Sequence, residues 1–475
     1  MIKRPLRILQ VSTADIGGGA EKIAWNLFHR YRNRGHCSWL AVGSKRGDDT
    51  DVFSLPRCPR NGLWSQTCLN LERRLQPFEG KGRAVARTRR LMQILADPRH
   101  ELEHRFGVEN FDYPGTHRLL ELSPDTPDVI HCHNLHGGYF DLRAIPRLSQ
   151  RAPLILTLHD AWLLSGHCAH SFGCERWKVG CGECPDLSIY PAISRDATAY
   201  NWRRKKRILS KSRVYVSTPS KWLMQKVERS LVCRGMVESR VVPNGVDLSV
   251  FFPAVRSSAR AALELPQDAA IVLFTANRGQ TNLWKDYETF RAAAARVGAK
   301  MRRHALFICL GGAAGAERLD GAELRFVAYQ ADAKTVAQFY QAADLYVHPA
   351  RVDTFPCAVL EALACGTPVV ATAVGGIPEQ IKGWQGLSAH CAGSNCFGPN
   401  RTTGALVPLG DAEAMAQSVE RILIDDPLRW QMSKNAAKDA RERFDIERQA
   451  DRYMEWYEEI LDRPVQNARR AAVAR

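Results

Sequence analysis

Residues 341–379 constrain the fold more than any other part of the chain. A short apolar run, Leu345–His348, has the length of a buried strand, and a polar loop follows it. The next apolar residues recur at helical spacing as far as Gly366, a residue typical of a helix end, and residues 368–372 again resemble a strand. This order of strand, loop, helix and strand predicts an α/β protein with a doubly wound parallel sheet.

Two acidic residues flank the start of the predicted helix, Asp353 in the loop and Glu361 about two turns further along the chain. Acidic side chains rarely belong to an apolar core. Open parallel sheets bind ligands in the loops at the carboxyl ends of their strands, and a helix start offers unpaired amides and partial positive charge. The segment therefore predicts a diphosphate site, unless both acids are solvated helix-cap charges.

The length and composition indicate a globular protein of more than one domain. The chain has 475 residues, of which 45% are hydrophobic and 24% charged, and we expect two domains with a cleft between them. Residues 1–12 contain only a short apolar run, which predicts a strand rather than a signal peptide. No segment has the ~20 apolar residues of a membrane-spanning helix. We therefore expect a cytoplasmic protein whose cysteines are mostly thiols or metal ligands.

The net charge of +16 is unevenly distributed. Residues 57–90 carry nine basic side chains against two acidic ones, and residues 203–207 are all basic. Such clusters bind anionic lipid headgroups, diphosphate-linked acceptors or nucleic acid, or are simply solvated faces. Too few aromatic residues lie among them for nucleic acid, which we do not expect as a partner. An anionic membrane surface, at the inner face of the cytoplasmic membrane, is the partner that we consider.

A glycine-rich turn follows the first strand, which we predict over residues 6–12. The turn contains Gly17, Gly18 and Gly19, and such a turn lets a ligand approach the backbone closely. The glycine spacing is not that of a dinucleotide-binding fingerprint. Regular alternation then fails over residues 46–123, which we interpret as an insertion that contributes to acceptor recognition.

Histidines lie at or near the ends of two further predicted strands, residues 128–133 and 154–159. His131 and His133 lie in the first of these strands, and His136 follows it. No carboxylate lies at the spacing of a zinc protease motif, so we expect hydrogen bonding from these side chains rather than metal binding.

Four cysteines lie within seventeen positions of the chain: Cys168, Cys174, Cys181 and Cys184. Four thiolates at this density suit a tetrahedral structural zinc site, for which His167 or His170 is an alternative ligand. Unligated thiols are a second interpretation. Disulfides are a third, although a reducing compartment disfavours them.

The second half of the chain begins after a predicted strand at residues 241–247. Its Pro-Asn-Gly portion is typical of a linker and opens the segment 243–253, which we interpret as a hinge. Strands predicted at residues 271–276, 306–311 and 325–328 alternate with helical patterns. This alternation predicts a second parallel sheet that includes the segment with the two acids.

The chain resembles glycosyltransferase family 4, a family with the GT-B fold of two Rossmann-like domains that face a cleft. The resemblance lies in an acidic residue (Asp353, where the family has glutamate), seven residues, Glu361, a helix of small residues and a Gly-Thr-Pro-Val-Val strand. It implies an acceptor-side domain over residues 1–242, a nucleotide-sugar domain over 254–444, and a terminal helix at 445–465 that returns to the first domain. The cysteine pattern resembles that of a bacterial subset of the family.

The resemblance also implies roles for single residues. Glu361 would bind the nucleotide ribose. Asp353 and the backbone of Thr354, Phe355 and Pro356 would bind donor hydroxyls.

Three further features match functional positions of the family. Lys285 and Arg278 would neutralise the donor diphosphate. Arg278 lies seven residues before the lysine, where the family usually has a gap of five. The alternative is that the two are an ordinary lysine and arginine on the surface. His159 would touch the transferred sugar from the end of its strand, unless it is a core histidine. The turn at Gly17 would lie near the donor phosphates and the acceptor.

The implied reaction is a retaining, metal-independent transfer of hexosyl type. The donor would be a nucleoside-diphosphate sugar and the acceptor a saccharide or a lipid-linked saccharide, in envelope or exopolysaccharide biosynthesis. We expect no cofactor for catalysis, with zinc only as a structural ion. The alternatives are a non-catalytic, basic, zinc-containing polyanion-binding protein and a GT-B sugar-nucleotide epimerase.

Overall fold

The computed structural model describes residues 4–56, 62–75, 83–276, 282–312, 315–319, 321–386 and 396–463. These residues form two compact units. The first unit comprises the described parts of Met1–Thr218, Met224–Val241 and Glu455–Arg475. The second comprises those of Pro219–Leu223 and Val242–Met454.

A parallel sheet forms the centre of the first unit. Its strands within the described ranges are β1 (Arg7–Ala14), β2 (Cys37–Ser44), β3 (Val52–Ser54), β4 (Val129–His133), β5 (Leu154–Thr157), β6 (Val214–Thr218) and β7 (Met236–Val241). They are ordered β3-β2-β1-β4-β5-β6-β7, with every neighbouring pair parallel. Strands β4, β5 and β6 are buried throughout, because both faces of a parallel sheet are covered.

Helices connect these strands: α1 (Gly19–Asn33), α2 (Gly62–Leu75), α3 (Arg83–Ala96), α4 (Pro98–Arg105), α5 (Ile145–Arg151), α6 (Thr198–Leu209) and α7 (Lys221–Glu228). Helix α1 illustrates their pattern, since Ala24, Leu27, Phe28 and Tyr31 recur at helical spacing and are buried. Strand β3 and helices α2, α3 and α4 occupy the region that the sequence predicts as an insertion.

The second unit also contains a central sheet. Its strands are β8 (Ala270–Thr275), β9 (Ala305–Leu310), β10 (Gly315–Leu319), β11 (Ala322–Val327), β12 (Leu345–His348), β13 (Val369–Thr372), β14 (Gly383–Trp384), β15 (Cys396–Phe397) and β16 (Gly404–Val407). The order in the described chain is β10-β11-β9-β8-β12-β13-β16-β14-β15. The pair β10 and β11 is antiparallel. A hairpin that the sequence does not predict therefore ends this otherwise parallel sheet.

Helices cover both faces of the second sheet, and the helices in this part of the chain are α8 (Arg256–Ala262), α9 (Tyr287–Lys300), α10 (Ala333–Ala342), α11 (Cys357–Ala364), α12 (Ile377–Gln380), α13 (Ala412–Ile424) and α14 (Asp426–Arg443). Helix α15 (Ile446–Asp462) follows them. Successive residues of β8 show that both faces are apolar. Ile271 and Leu273 pack in one buried cluster, whereas Val272 and Phe274 pack in another. Side chains alternate along a strand, so a strand buried on both faces reads as a continuous apolar run.

The sequence misplaces one strand, because it predicts residues 241–247 where β7 occupies Met236–Val241. Pro243 lacks the backbone N–H that a strand ladder requires, so the strand ends before it. Val246 instead donates its N–H to the Phe444 carbonyl at 2.7 Å. Both residues belong to the second unit.

The end of α15 packs in the first unit. The Tyr457 hydroxyl lies 2.6 Å from His131 Nδ1, and Trp456 Nε1 donates to Glu238 at 2.9 Å. Of the helices described, none is long and apolar enough to cross a membrane.

Candidate functional site

The predicted ligand site lies in the second unit, in the loop between β12 and α11. Strand β12 ends at His348, and Asp353 lies within the loop. Pro356 precedes the helix in an extended conformation with φ −63° and ψ 125°. Gly366 follows its end with φ +73°, a left-handed conformation that favours glycine. The local sequence thus positions the helix start next to the acidic loop.

A lysine, an acid and a histidine meet in this loop. Lys285 Nζ donates to Asp353 Oδ2, although the two residues lie 68 positions apart. His348 Nε2 lies 3.3 Å from that carboxylate oxygen and 3.3 Å from Lys285 Nζ. Lys285 ends the turn Leu283–Lys285, which precedes α9. The structure therefore brings together two of the residues that the sequence singles out.

The charges of this cluster follow from burial and from its neighbours. Burial acts to raise the pKa of Asp353, but Lys285 and His348 outweigh it, and the pKa lies well below its usual range. Burial, assisted by Lys285, lowers the pKa of His348 to about 4. Near neutral pH the loop therefore holds an ionised Asp353 beside a neutral His348. Arg278, the second cation predicted for the diphosphate, lies outside the described residues.

A chain of buried hydrogen bonds leads from His348 to Glu361. His348 Nδ1 lies 2.9 Å from the Tyr346 hydroxyl, which lies 2.9 Å from Thr275 Oγ1. Thr275 Oγ1 lies 3.5 Å from the Tyr340 hydroxyl, and that hydroxyl donates to Glu361 Oε2 at 3.2 Å. Glu361 is only 9% exposed. One framework of hydrogen bonds thus holds both predicted acids.

Sequence reasoning did not identify His348, Tyr346 and Tyr340 as parts of this framework. A signal was present in β12, where Tyr346 and His348 alternate and therefore point to the same face of the sheet. Polar side chains in a fully buried strand need hydrogen-bond partners, so this pair indicates a buried polar network.

The residues after Asp353 have different surroundings. Phe355 is buried against Phe444 with ring centroids 5.8 Å apart, so its side chain belongs to the core. The Pro356 carbonyl accepts a hydrogen bond from Gln380 Nε2 at 3.0 Å. Thr354 Oγ1 is buried, and no partner for it lies in the described part of the chain. The Thr354 hydroxyl, beside the backbone that the resemblance assigns to the donor, thus has no hydrogen-bond partner among the described residues.

Two glycines in the loop after β13 support the backbone at Asp353. Gly376 N–H donates to the Asp353 carbonyl at 3.2 Å. A Cβ atom at Gly375 would lie 1.8 Å from the Asp353 carbonyl oxygen, and one at Gly376 would lie 2.0 Å from that of Thr354. Glycine is therefore required at both positions for the loops to approach so closely.

In the first unit, His159 follows β5 and ends a row of hydrogen-bonded side chains. His159 Nε2 lies 3.1 Å from His133 Nδ1, and His133 Nε2 lies 3.2 Å from Gln10 Oε1. An amide oxygen only accepts, so His133 Nε2 carries a proton and His159 Nε2 donates to His133. Burial lowers the pKa of His159 to about 4, although Asp160 opposes the change. His159 is therefore a neutral imidazole with Nδ1 as an acceptor.

The other two histidines are held in place by hydrogen bonds. His131 contacts Thr157 Oγ1 at 2.6 Å in addition to Tyr457. His136 Nε2 lies 2.7 Å from Asp160 Oδ2. Burial opposes protonation of His136, but Asp160 raises its pKa overall. Both histidines therefore make hydrogen bonds, the kind of contact that the sequence predicts for them.

A carboxylate lies against the glycine-rich turn of the first unit. Gly18 caps α1, which begins at Gly19. A Cβ atom would lie 2.9 Å from Glu21 Cγ at Gly17 and 3.2 Å from Glu21 Oε2 at Gly18. Because the turn carries this negative charge, it suits a hydroxyl better than a phosphate. The predicted proximity of Gly17, Gly18 and Gly19 to donor phosphates stays a prediction.

The four clustered cysteines and His167 line one small cavity: Cys168, Cys174, Cys181 and Cys184. Cys181 Sγ accepts the Gly166 N–H at 3.2 Å, and Cys184 Sγ lies 3.4 Å from His167 Nε2. Within the ranges that the structure describes, no three His, Cys, Asp or Glu side chains form a group that could hold a metal ion. The side chains as placed do not form a tetrahedral thiolate set, and the structural zinc stays a prediction.

Four buried or half-buried histidines make the folded state sensitive to acid: His131, His133, His159 and His348. Burial lowers the pKa of all four, to about 3 for His131 and about 4 for His159 and His348. The unfolded chain therefore binds more protons below about pH 6.5, and stability falls as the pH decreases through that value. Between about pH 7.5 and about pH 5.5 we expect roughly 1 kcal/mol lost per histidine in the free energy of unfolding. Urea denaturation at both pH values measures this change in the free energy of unfolding. In the variant His348→Gln the free energy of unfolding should depend less on pH.

Comparison with known families decides the class of the protein. The model of Glycosyltransferase Family 4 matches residues 17–250, and the model of Glycosyl transferases group 1 matches residues 255–439. The chain belongs to glycosyltransferase family 4. As a member of this family it is a glycosyltransferase, and the alternative of a non-catalytic polyanion-binding protein is wrong.

Two bacterial relatives of this chain are named as glycosyltransferases. WcaC of Escherichia coli, named for colanic acid biosynthesis, is 28% identical over 383 residues, which cover 77% of this chain and 83% of WcaC. A D-inositol 3-phosphate glycosyltransferase of Saccharomonospora viridis is 32% identical over 236 residues. That match covers 47% of this chain, and the chain spans only half the length of that relative.

Solved structures confirm the predicted GT-B fold with its two Rossmann-like domains. Sucrose-phosphate synthase of Thermosynechococcus elongatus has a TM-score of 0.58 at 20% identity, covering 96% of this chain and 99% of that one. HepE of Anabaena, solved in complex with UDP-glucose, has a TM-score of 0.56 at 16% identity, covering 96% and 100%. At such low identities the similarity concerns the fold alone.

Proposed function

We propose that the second unit binds the nucleoside-diphosphate sugar donor and that the sugar is transferred with retention of its anomeric configuration. The observation that carries this proposal is the hydrogen-bonded cluster that links Lys285, Asp353 and Glu361. The cluster lies at the carboxyl end of a parallel strand, where such sheets bind ligands. Lys285 contacts the diphosphate, Asp353 the sugar hydroxyls and Glu361 the ribose.

The chemistry of the step accounts for this assignment. Breaking the bond between the sugar and the diphosphate leaves negative charge on the departing group. Lys285 and the partial positive charge at the start of α11 stabilise that charge without a catalytic cofactor. Asp353 remains ionised and accepts hydrogen bonds from sugar hydroxyls. His348 and Tyr340 position the two acids through the contacts described above.

For the acceptor we propose a lipid-linked saccharide used in envelope or exopolysaccharide biosynthesis, at the inner face of the cytoplasmic membrane. The name of WcaC, which refers to colanic acid biosynthesis, supports this class of pathway. The basic character of the chain, with a net charge of +16, supports an anionic, diphosphate-linked acceptor.

Thermal unfolding with UDP-, GDP- and dTDP-sugars tests the donor. A ligand that binds only the folded state stabilises it by about 2.7 kcal/mol at about 100 times its Kd. We expect one nucleotide class to raise the Tm in the wild type and to lose this effect in Glu361→Ala. If no sugar nucleotide raises the Tm, the proposed function is wrong.

Incubation of the identified donor without an acceptor separates transfer from epimerisation. We expect the donor to remain unchanged until a lipid-linked saccharide is added, and the new glycosidic bond to keep the donor's anomeric configuration by NMR. Conversion of the donor in the absence of an acceptor would instead identify an epimerase.

A further inference from the structure

A histidine and an aspartate of the first unit pair where two neighbouring strands end. Strands β4 and β5 are parallel neighbours, and His136 and Asp160 each follow the end of one of them by three residues. His136 Nε2 lies 2.7 Å from Asp160 Oδ2, and the two side chains are 12% and 13% exposed. Parallel sheets bind ligands at this edge, and the proposed donor contacts use neither residue.

The partners of Asp160 decide which ring nitrogen of His136 carries the proton. Burial acts to raise the pKa of Asp160, but His136 outweighs it, and Asp160 is ionised near neutral pH. Its Oδ1 accepts the Trp162 N–H at 2.9 Å, and an ionised carboxylate only accepts. His136 Nε2 therefore donates to Oδ2, and the neutral imidazole has its lone pair on Nδ1.

This second nitrogen, His136 Nδ1, is buried and has no hydrogen-bond partner among the residues that the structure describes. Buried polar atoms in folded proteins normally have a partner, so the exception calls for one that arrives from outside. The ring is held in place, because the ring centroids of Trp162 and Tyr190 lie 5.5 Å and 5.8 Å from that of His136. His136 thus offers a fixed lone pair to an incoming O–H group.

The charges around His136 favour a neutral ligand. Burial opposes the charged form of His136, while Asp160 and, more weakly, Glu21 of α1 raise its pKa. Lys205 acts against them, but its ammonium is paired with Glu109 at 2.9 Å. Two carboxylates therefore repel a phosphate or an acidic sugar, whereas a saccharide hydroxyl donates to the lone pair without this cost. The titratable groups around the ring are Asp160, Glu21, Lys205, His159 and Tyr190.

We propose that His136 Nδ1 binds a hydroxyl of the acceptor saccharide and that Asp160 positions the ring for this contact. His159, which the resemblance assigns to the transferred sugar, directly precedes Asp160. Asn134 Oδ1 accepts the His159 N–H at 3.3 Å, which joins the loop of His136 to that of Asp160. The inference rests on the proposed saccharide acceptor, and it is independent of the donor contacts in the second unit.

NMR of the full-length protein with 15N-labelled histidine tests the contact. The variant His136→Gln assigns the ring signals of His136, because it removes them. At about pH 9 we expect Nε2 to carry the proton and Nδ1 to be bare. The Nδ1 signal should move when the methyl glycosides of glucose, galactose and mannose are titrated in turn. A protonated Nδ1 at this pH, or a signal that none of the three glycosides moves, overturns the proposal.

The affinity of the glycoside that moves this signal most measures the contribution of the contact. Its Kd is followed at the indole N–H of Trp162, which packs against His136 and remains in the variant. In His136→Gln we expect the Kd to rise by about fivefold to about tenfold, the size of one lost hydrogen bond. The matched control is His117→Gln, since His117 lies 3.1 Å from Asp141 in the same unit but is 43% exposed. The control should leave the Kd unchanged.

The pH dependence of this Kd distinguishes a direct contact from a structural role. Protonated His136 carries a hydrogen on Nδ1 and no longer accepts, so wild-type affinity should fall as the pH decreases through the raised pKa of His136. Burial lowers the pKa of His133 and His159, so neither accounts for a change in this range. In His136→Gln the Kd should not depend on pH there. Wild-type affinity with wild-type pH dependence in this variant overturns the proposal.

The variant Asp160→Asn tests the positioning role. It leaves one oxygen for the N–H groups of Trp162 and His136, so one of these two contacts is lost. We expect weaker glycoside binding and a pH effect displaced to lower pH, because the charge that raises the pKa of His136 is gone. Unchanged binding would show that Asp160 does not position the ring. All variants should keep the rise in Tm with a sugar nucleotide, whereas its absence in the wild type would contradict the donor assignment alone.

Discussion

Replacing Lys285 with alanine is expected to lower kcat/KM for the donor by between about a hundredfold and about a thousandfold. Lys285 contacts Asp353 and lies 3.3 Å from His348, so it adds a positive charge at the start of α11. Removing one preorganised charge that acts on a leaving group typically costs this much. The matched control, Lys334→Ala, removes an exposed lysine of the same unit and should leave kcat/KM unchanged.

A second variant separates lost chemistry from lost folding. Lys285→Ala leaves the Asp353 carboxylate without its cation, so some loss of stability is expected. In Lys285→Ala/Asp353→Asn the unpaired charge is gone, and we expect the Tm to recover while transfer stays low, because this variant also lacks the carboxylate assigned to the sugar hydroxyls. If activity recovered together with the Tm, neither Lys285 nor Asp353 would act in transfer, and the pair would serve only to stabilise the loop.

Glu361→Gln is expected to raise the donor KM by between about tenfold and about a hundredfold, with a smaller change in kcat. A carboxylate that accepts hydrogen bonds contributes about 1.5–3 kcal/mol, and the amide keeps the shape but loses the charge. Tyr340→Phe removes the hydroxyl that donates to Glu361 at 3.2 Å. Because it affects only the position of the acid, we expect a KM increase of about fivefold. Steady-state kinetics at varied donor concentration give both values.

The Glu361→Gln result needs a control variant in which a carboxylate outside the proposed site is changed in the same way. Glu413→Gln changes a carboxylate in a surface ion pair with Arg296 and should leave the KM as it is. An unchanged donor KM in Glu361→Gln would show that Glu361 does not bind the ribose. A large loss in Tyr340→Phe with none in Glu361→Gln would show that the tyrosine acts independently of the acid.

The part of the fold that the sequence predicts well is the part with strict periodicity. Strands β12 and β13 lie where the apolar runs place them, and the helix after Pro356 ends next to Gly366 as expected. Only the resemblance to a family assigned Lys285 and Asp353 to the same ligand, since nothing in local periodicity relates positions 68 residues apart.

The remaining features depend on tertiary contacts. The hydrogen bonds from His348 through Tyr346 and Thr275 to Tyr340 join β8, α10 and β12, and no local pattern shows which polar residues of different elements meet. The close approach of Gly375 to the Asp353 carbonyl is equally non-local. Short strands such as β14 and β15, with two residues each, are too brief to give a periodic signal.

A crystal structure with the nucleoside diphosphate selected by the thermal screen tests the central claim most directly. We predict that the phosphates lie within hydrogen-bond distance of Lys285 Nζ and the first amides of α11, and that the ribose hydroxyls contact Glu361. A nucleotide bound elsewhere in the molecule, with Lys285 still paired to Asp353 and Glu361 unoccupied, would contradict the account.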